Sequence, residues 1–259
     1  MNTKSAIYKS FMAALLVLFF CGSVFARAPM AVKIGQGEAL ITLLDGSAQV
    51  QSGESDWKPL KTGNLLKGGD EIRIGKRSRL ELRLPDQSLL RFSANTHFKI
   101  VALNIDSNTR SAKINLALGK TWANVNKALG GVKPNYEMSS RNAVCGVRGT
   151  IYRMNVEQND SVLVRVYEGE VNVTGGRKTA ETAPPMIGQP HKIAGPTPIE
   201  GPRPVSMEEW TYIVKSMQQI QIGADGVPQK PEAFTEAQDR DAWVEWNKAR
   251  DAELEKQSE

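Results

Sequence analysis

Residues 79–93 read RLELRLPDQSLLRFS. The first six alternate strictly, with Leu80, Leu82 and Leu84 on one side and Arg79, Glu81 and Arg83 on the other. That is the period of a half-buried strand with one wet face. Pro85-Asp86-Gln87-Ser88 supplies turn chemistry, and LLRFS returns, so the stretch predicts a β-hairpin.

The same pattern extends outward in both directions. EIRI (71–74) places Ile72 and Ile74 inward after the turn residues Gly68-Gly69-Asp70. Downstream, Tyr152, Met154 and Val156 alternate with Arg153, Asn155 and Glu157, and VLVRVYEGEVNV reads as two strands around Glu168-Gly169. Turn signals recur at roughly 8–12-residue intervals, the spacing of a sandwich or barrel. The fold predicted for residues 38–175 is mainly β, a sandwich or roll of short antiparallel strands. The window 115–129 (NLALGKTWANVNKAL) is ambiguous between strand and helix.

Beyond this region the composition shifts. Residues 176–204 are a Pro-rich linker or strap, because closely spaced prolines forbid helix and central strand. Residues 205–259 are expected to form two amphipathic helices. The first opens with the capping box Ser206–Glu209 and carries Met207, Trp210, Ile213, Val214, Met217 and Ile220 on one stripe. The second starts at Thr235-Glu236-Ala237-Gln238, with Trp243, Trp246 and Leu254 on its apolar side.

The N-terminus has the layout of a secretory signal: Lys4 and Lys9, the apolar run FMAALLVLFF, then Val24-Phe25-Ala26. Cleavage is expected after Ala26, which predicts a periplasmic or secreted protein without a membrane span; anchoring through an uncleaved signal is the alternative. Cleavage also removes Cys21 and leaves Cys145 alone, a thiol expected to be buried. The formal net charge is +5, with an excess of acids after residue 204 and a basic region before it. Export argues against nucleic acid as a partner. A solvated basic surface is the plain reading; attraction to anionic envelope polymers or to the protein's own acidic tail is the sharper one.

No catalytic constellation stands out. His97 and His191 lack Cys, His or carboxylate neighbours at metal-ligand spacing, and no nucleophile elbow, HExxH or P-loop occurs. No catalytic residue, cofactor or metal site is predicted. The tail tryptophans can stack on sugars, but their helical spacing favours packing.

The most specific stretch is AVCGVRGTIY (143–152). With the Gly69-Asp70 turn and the 79–93 hairpin, it resembles the FecR-type domain, named after the periplasmic part of a bacterial ferric-citrate regulator. The resemblance covers residues 38–175 and singles out Val147, Arg148, Gly149, Thr150, Tyr152, Gly69 and Asp70 as motif residues, structural or interacting. Asp-Gln-Ser at 86–88 stands where such domains usually have Asp-Gly-Ser. Regulators of the iron-sensing type place a sigma-binding segment and a membrane helix before this domain. Here an export signal leads almost directly into it, so that signalling role is not expected to carry over.

Arg148 admits three readings: a buried bracket donating to carbonyls and to a carboxylate such as Asp70 or Glu168, an outward grip on a partner, or a catalytic group. The function expected overall is a non-enzymatic binding or sensing module of the cell envelope with a protein partner. A structural envelope component or a cell-wall polymer binder is the alternative.

Overall fold

The computed structural model describes residues 37–106, 108–127, 135–175 and 210–258, which lie in one compact unit. The strands are β1 (Glu38–Asp45), β2 (Ala48–Ser52), β3 (Lys58–Pro59), β4 (Leu65–Lys67), β5 (Asp70–Ile74), β6 (Arg79–Arg83), β7 (Leu89–Phe92) and β8 (His97–Ile105). They continue as β9 (Arg110–Asn124), β10 (Asn135–Ser139), β11 (Val144–Val147), β12 (Ile151–Val156), β13 (Val162–Glu168) and β14 (Glu170–Gly175). After the undescribed residues 176–209 come β15 (Trp210–Lys215), β16 (Gln218–Ile222) and β17 (Glu232–Ala233), then one helix, α1 (Ala242–Ser258).

The 17 strands are continuously hydrogen-bonded, but they divide into two layers that share β9. The first layer runs β4-β1-β6-β7-β9-β12-β13-β16-β17. The second runs β3-β2-β5-β8-β9-β10-β11-β14-β15. All neighbours are antiparallel except β9 and β10. The predicted hairpin is β6–β7, and the ambiguous window is strand up to Asn124, the end of β9, a strand of 15 residues rather than a short one.

β9 changes layer at Gly119. Residues up to Leu118 pair with β8, and those from Gly119 pair with β12. Gly119 has φ +107°, and a Cβ there would lie 2.7 Å from Thr96 Cα, so only glycine fits the crossing. The inner faces meet in one core. Phe92 of the first layer stacks on Phe98 of the second with ring centroids 3.8 Å apart, and Cys145 Sγ lies 4.0 Å from Met154 Sδ. The inward set read from sequence, Ile72, Ile74, Leu80, Leu82, Leu84, Tyr152, Met154 and Val156, is buried throughout.

Two expectations about the C-terminal region are overturned. The first predicted helix is a pair of strands. Trp210, Tyr212 and Val214 face inward from β15, and Ile220 and Ile222 from β16, while Ile213 is 56% exposed. The β-branched run TYIV and the alternation of QQIQI suit a strand, and β14 and β13 offered unpaired edges to complete. The Ser206–Glu209 capping box and the Pro-rich strap lie outside the described residues. The second helix forms, but later than expected. Thr235 and Gln238 do make the reciprocal box, with Thr235 N–H donating to Gln238 Oε1 at 2.7 Å. It closes only a turn. The helix starts after Asp241, whose Oδ1 accepts the Val244 amide at 2.8 Å.

The outer face of β6 is not wet either. Glu81 and Arg91 are fully buried and Arg153 is buried, because the tail lies over them; Asn155 is buried on the same face. Strand register puts these residues in one ladder: Glu81 opposes Arg91, Arg91 opposes Trp122, Trp122 opposes Arg153, and Arg153 opposes Arg165. Like charges directly opposed across strands repel. The tail resolves this: the Asp239 carboxylate bridges Arg153 and Arg165 and accepts the Tyr167 hydroxyl. Arg91 Nε donates to Glu81 at 2.7 Å, its Nη1 lies 2.7 Å from Asp251, and Trp122 Nε1 donates to Asp251 at 2.9 Å. Glu81 also accepts from Thr42 at 2.7 Å and from Arg250 of α1 at 3.2 Å. Burial by itself would raise the Glu81 pKa, but hydrogen bonds from Arg250, Arg91 and Thr42 outweigh it and hold the carboxyl below its ordinary value.

Two predictions follow from these contacts. Gly175 and Trp210 are register partners, so residues 176–209 leave and rejoin the sheet at one place. Replacing them with an Asn-Gly turn should preserve the far-UV spectrum and a melting temperature no lower than that of the parent. A lowered Glu81 pKa stabilises the fold fully above the unfolded value of 4.5. That contribution is lost as pH falls through the lower folded value. Glu81→Gln should remove this part of the acid dependence in denaturant titrations and cost about 3 kcal/mol at pH 7, since it leaves buried guanidinium charge under-compensated.

Candidate functional site

The motif turn between β11 and β12 carries the chain from the second layer to the first. Val147 ends β11 facing the core, and Tyr152 is buried on the other side of the turn. Thr150 is fastened twice: its backbone exchanges hydrogen bonds with Val125 at 3.0 and 3.1 Å, and its hydroxyl donates to the Glu170 carbonyl at 3.2 Å. Gly149 sits at φ +61°, where a Cβ would meet Lys127 Cγ at 2.6 Å and Cα at 3.1 Å. The motif is therefore a rigid corner.

Arg148 projects from that corner. It is exposed and makes no hydrogen bond or ion pair among the described residues. The buried-bracket reading is overturned: the glycines and Thr150 shape the corner, and the guanidinium is left outside. Gly69 and Asp70 belong to a different turn. Gly69 N–H donates to the Ile100 carbonyl at 2.7 Å, and the buried Asp70 carboxylate accepts Ser52 Oγ at 2.5 Å and the Lys67 amide at 2.8 Å. Both are structural, and no contact joins them to Arg148.

Beside the motif corner, two clefts of about 470 and 400 Å³ share Asn124, Asn126 and Glu255. Gly149 and Thr150 line the second, with Arg110 and Lys127 as its cations and Asp86, Glu168 and Glu255 as acids. Asp86 organises this wall. It accepts the Ser88 amide at 3.1 Å, the Ser88 hydroxyl at 3.0 Å and the Tyr136 hydroxyl, while Asn126 donates to its carbonyl at 2.8 Å. Burial and then the Asp86 hydrogen bond push the Tyr136 phenol well above its ordinary range, so it stays protonated. Gln87 holds φ +68°, the left-handed geometry that a glycine here would adopt without strain.

Sequence reasoning took PDQS only as a turn and missed its link to Tyr136 and Asn126. The Asp86-x-Ser88 spacing of an Asx turn was the available signal. Cys145 is fully buried, and burial pushes its thiol up to about 12, so it is no nucleophile at neutral pH. His97 Nε2 lies 2.6 Å from Glu71 beside Trp57, and His191 lies outside the described residues. Among the described residues no cluster of His, Cys, Asp or Glu is arranged to hold a metal ion. What the site offers is a fixed surface of mixed charge, with the Arg148 guanidinium beside it making no hydrogen bond or ion pair among the described residues.

Residues 70–172 match the family model described as FecR protein. They are a FecR domain. The FecR match takes in every strand from β5 to β13 and the 147–150 turn, starting at Asp70. Two crystal structures of a "putative anti-sigma factor" from Parabacteroides distasonis ATCC 8503 align with a TM-score of 0.42, at 16% and 17% identity. The alignments cover 63% of this chain and 59% of the solved ones, so the chain spans less than two thirds of their length. No curated protein matches the sequence.

The corner predicts a contrast between its two glycines. Gly149→Ala should cost about 2 kcal/mol in chemical denaturation, from left-handed strain and a clash with Lys127 backbone. Gly146→Ala, whose Cβ would meet nothing nearer than the Asn172 carbonyl at 3.9 Å, should stay within about 1 kcal/mol of the parent.

Proposed function

We infer that this FecR-domain chain is a non-enzymatic binding or sensing module of the bacterial cell envelope that works by contact with another protein. The observation that carries this reading is Arg148: an exposed, unpaired guanidinium on a corner that glycine and threonine hold rigid. A guanidinium held in place loses little freedom on binding and presents a planar fork of donors to a carboxylate. The adjoining cleft is of mixed charge, with Arg110 and Lys127 against Asp86, Glu168 and Glu255, so the preference for an acidic partner group rests on Arg148 itself. The domain's namesake is a regulator, which favours a regulatory role over a metabolic one. The signal-like N-terminus supports a location in the periplasm or outside the cell. No helix among the described residues is long and apolar enough to cross a membrane.

The test is capture of envelope proteins by the parent and by Arg148→Glu. The expected outcome is a specific protein held by the parent and lost from the variant, with melting temperatures within a degree or two of each other, because Arg148 supports nothing in the fold. An identical set captured by both would remove Arg148 from the interaction and with it this reading.

A further inference from the structure

The tail that covers the first layer meets it through ion pairs as well as through Val244 and two half-buried tryptophans. Across residues 235–258 there are seven acids and four bases. Val244 is the one fully buried hydrophobe of α1; Asn247 and Asp251 are buried beside it, and Trp243, Trp246 and Leu254 are half-buried. Beneath lie Arg91, Arg153 and Arg165, matched by Asp251 and Asp239.

The match is incomplete. Eight buried side-chain polar atoms among the described residues lack an aligned hydrogen bond, and six of them belong to this contact: Arg91 Nη2, Arg153 Nε and Nη1, Trp243 Nε1, Asn247 Oδ1 and Asp251 Oδ1, of which Asp251 Oδ1 has an ion-pair contact with Arg91 Nη1 at 2.7 Å and Arg153 Nη1 a longer one with Asp241 at 3.6 Å. Three of the six are guanidinium donors on side chains at most 4% exposed, with no acceptor aligned to them. Buried ion pairs of this kind specify a partner more than they add net stability. A face with unfilled donors suits an acceptor-rich ligand. The cover also has a natural boundary. Phe234 is buried, whereas Thr235 to Gln238 are exposed, so the tail leaves the sheet's own packing at that point.

We propose that the arginine ladder of β7, β12 and β13 is a docking surface for an acidic helical protein segment, and that residues 235–258 are its resident, exchangeable occupant. The partner presents carboxylates where Asp239 and Asp251 stand and supplies further acceptors to Arg91 and Arg153. This surface lies on residues other than Arg148 and its cleft, so it stands or falls separately from the contact proposed above.

The test is made on the folded full chain with a protease site placed at Glu236–Ala237. After cleavage, a fluorescent synthetic peptide of residues 237–258 is added, and exchange is followed by anisotropy and gel filtration. The expected result is displacement of the cut fragment by the labelled peptide while near-UV dichroism stays constant. The Asp239→Asn/Asp251→Asn peptide should bind at least about tenfold more weakly. Polyglutamate of equal length should not compete at the same concentration. A fragment that never exchanges, or a sheet that unfolds when the fragment leaves, would make the tail an integral part of the fold and overturn the proposal. Equal binding by the neutralised peptide would show an apolar contact, and equal competition by polyglutamate a general polyanion surface; either overturns it. In the uncut chain, Asp239→Asn/Asp251→Asn should speed amide exchange in α1 by about tenfold or more without changing β8 to β11. Unchanged exchange in α1 would count against the proposal in the same way.

Discussion

Arg153 and Arg165 face each other across adjacent strands, and without an anion between them the middle of the first layer would repel itself. Asp239 is that anion. Its placement requires the chain to extend the sheet through β15 to β17, turn at Thr235–Gln238 and only then start its helix. The same constraint repeats at the other end of the ladder, where Glu81, Arg91, Asp251 and Trp122 form a closed set across three strands and the helix. The tail is therefore the charge complement of one sheet face.

This division of labour leaves the two layers with different outer surfaces. The first is covered along its arginine ladder, where Asp239 and Asp251 of the tail pair with Arg91, Arg153 and Arg165 but leave some guanidinium donors unmatched. The second carries its polar side chains outward, with Arg73 and Lys99 exposed and His97 half-buried. Between the layers, the crossings at Gly119 and Gly149 turn the chain without interrupting the core. At the second crossing the corner is rigid enough to hold an exposed guanidinium beside a mixed-charge cleft. The FecR domain, residues 70–172, supplies the corner, and the tail helix supplies Glu255 to the adjoining wall.

Most of the β architecture was legible before the structure. Period-two patterns at 71–74, 79–93 and 151–156 named the correct inward residues, because burying alternate side chains needs only local geometry. The motif 143–152 was recognisable for a similar reason: its glycines answer to backbone shape. Three things were not legible. The run 210–222 satisfied a helical stripe as well as it satisfied two strands, and the free edges of β14 and β13 decided the matter. The charged alternate positions Glu81 and Arg153 looked solvated because nothing local says that a distant tail will cover them. Arg148, set in an apolar run, looked buried, and the turn at Gly149 sends it outward instead.

The sequence by itself determined which side chains face the core, where the chain must turn and where glycine is obligatory, since these follow from strand periodicity and backbone sterics within a few residues. Only the tertiary structure decided which polar faces are wet, which strand edges are filled and that Arg148 stands outside the fold's own contacts. Those outcomes depend on charges brought together from opposite ends of the chain, such as Glu81 with Arg250 and Trp122 with Asp251, and no local pattern encodes that distance.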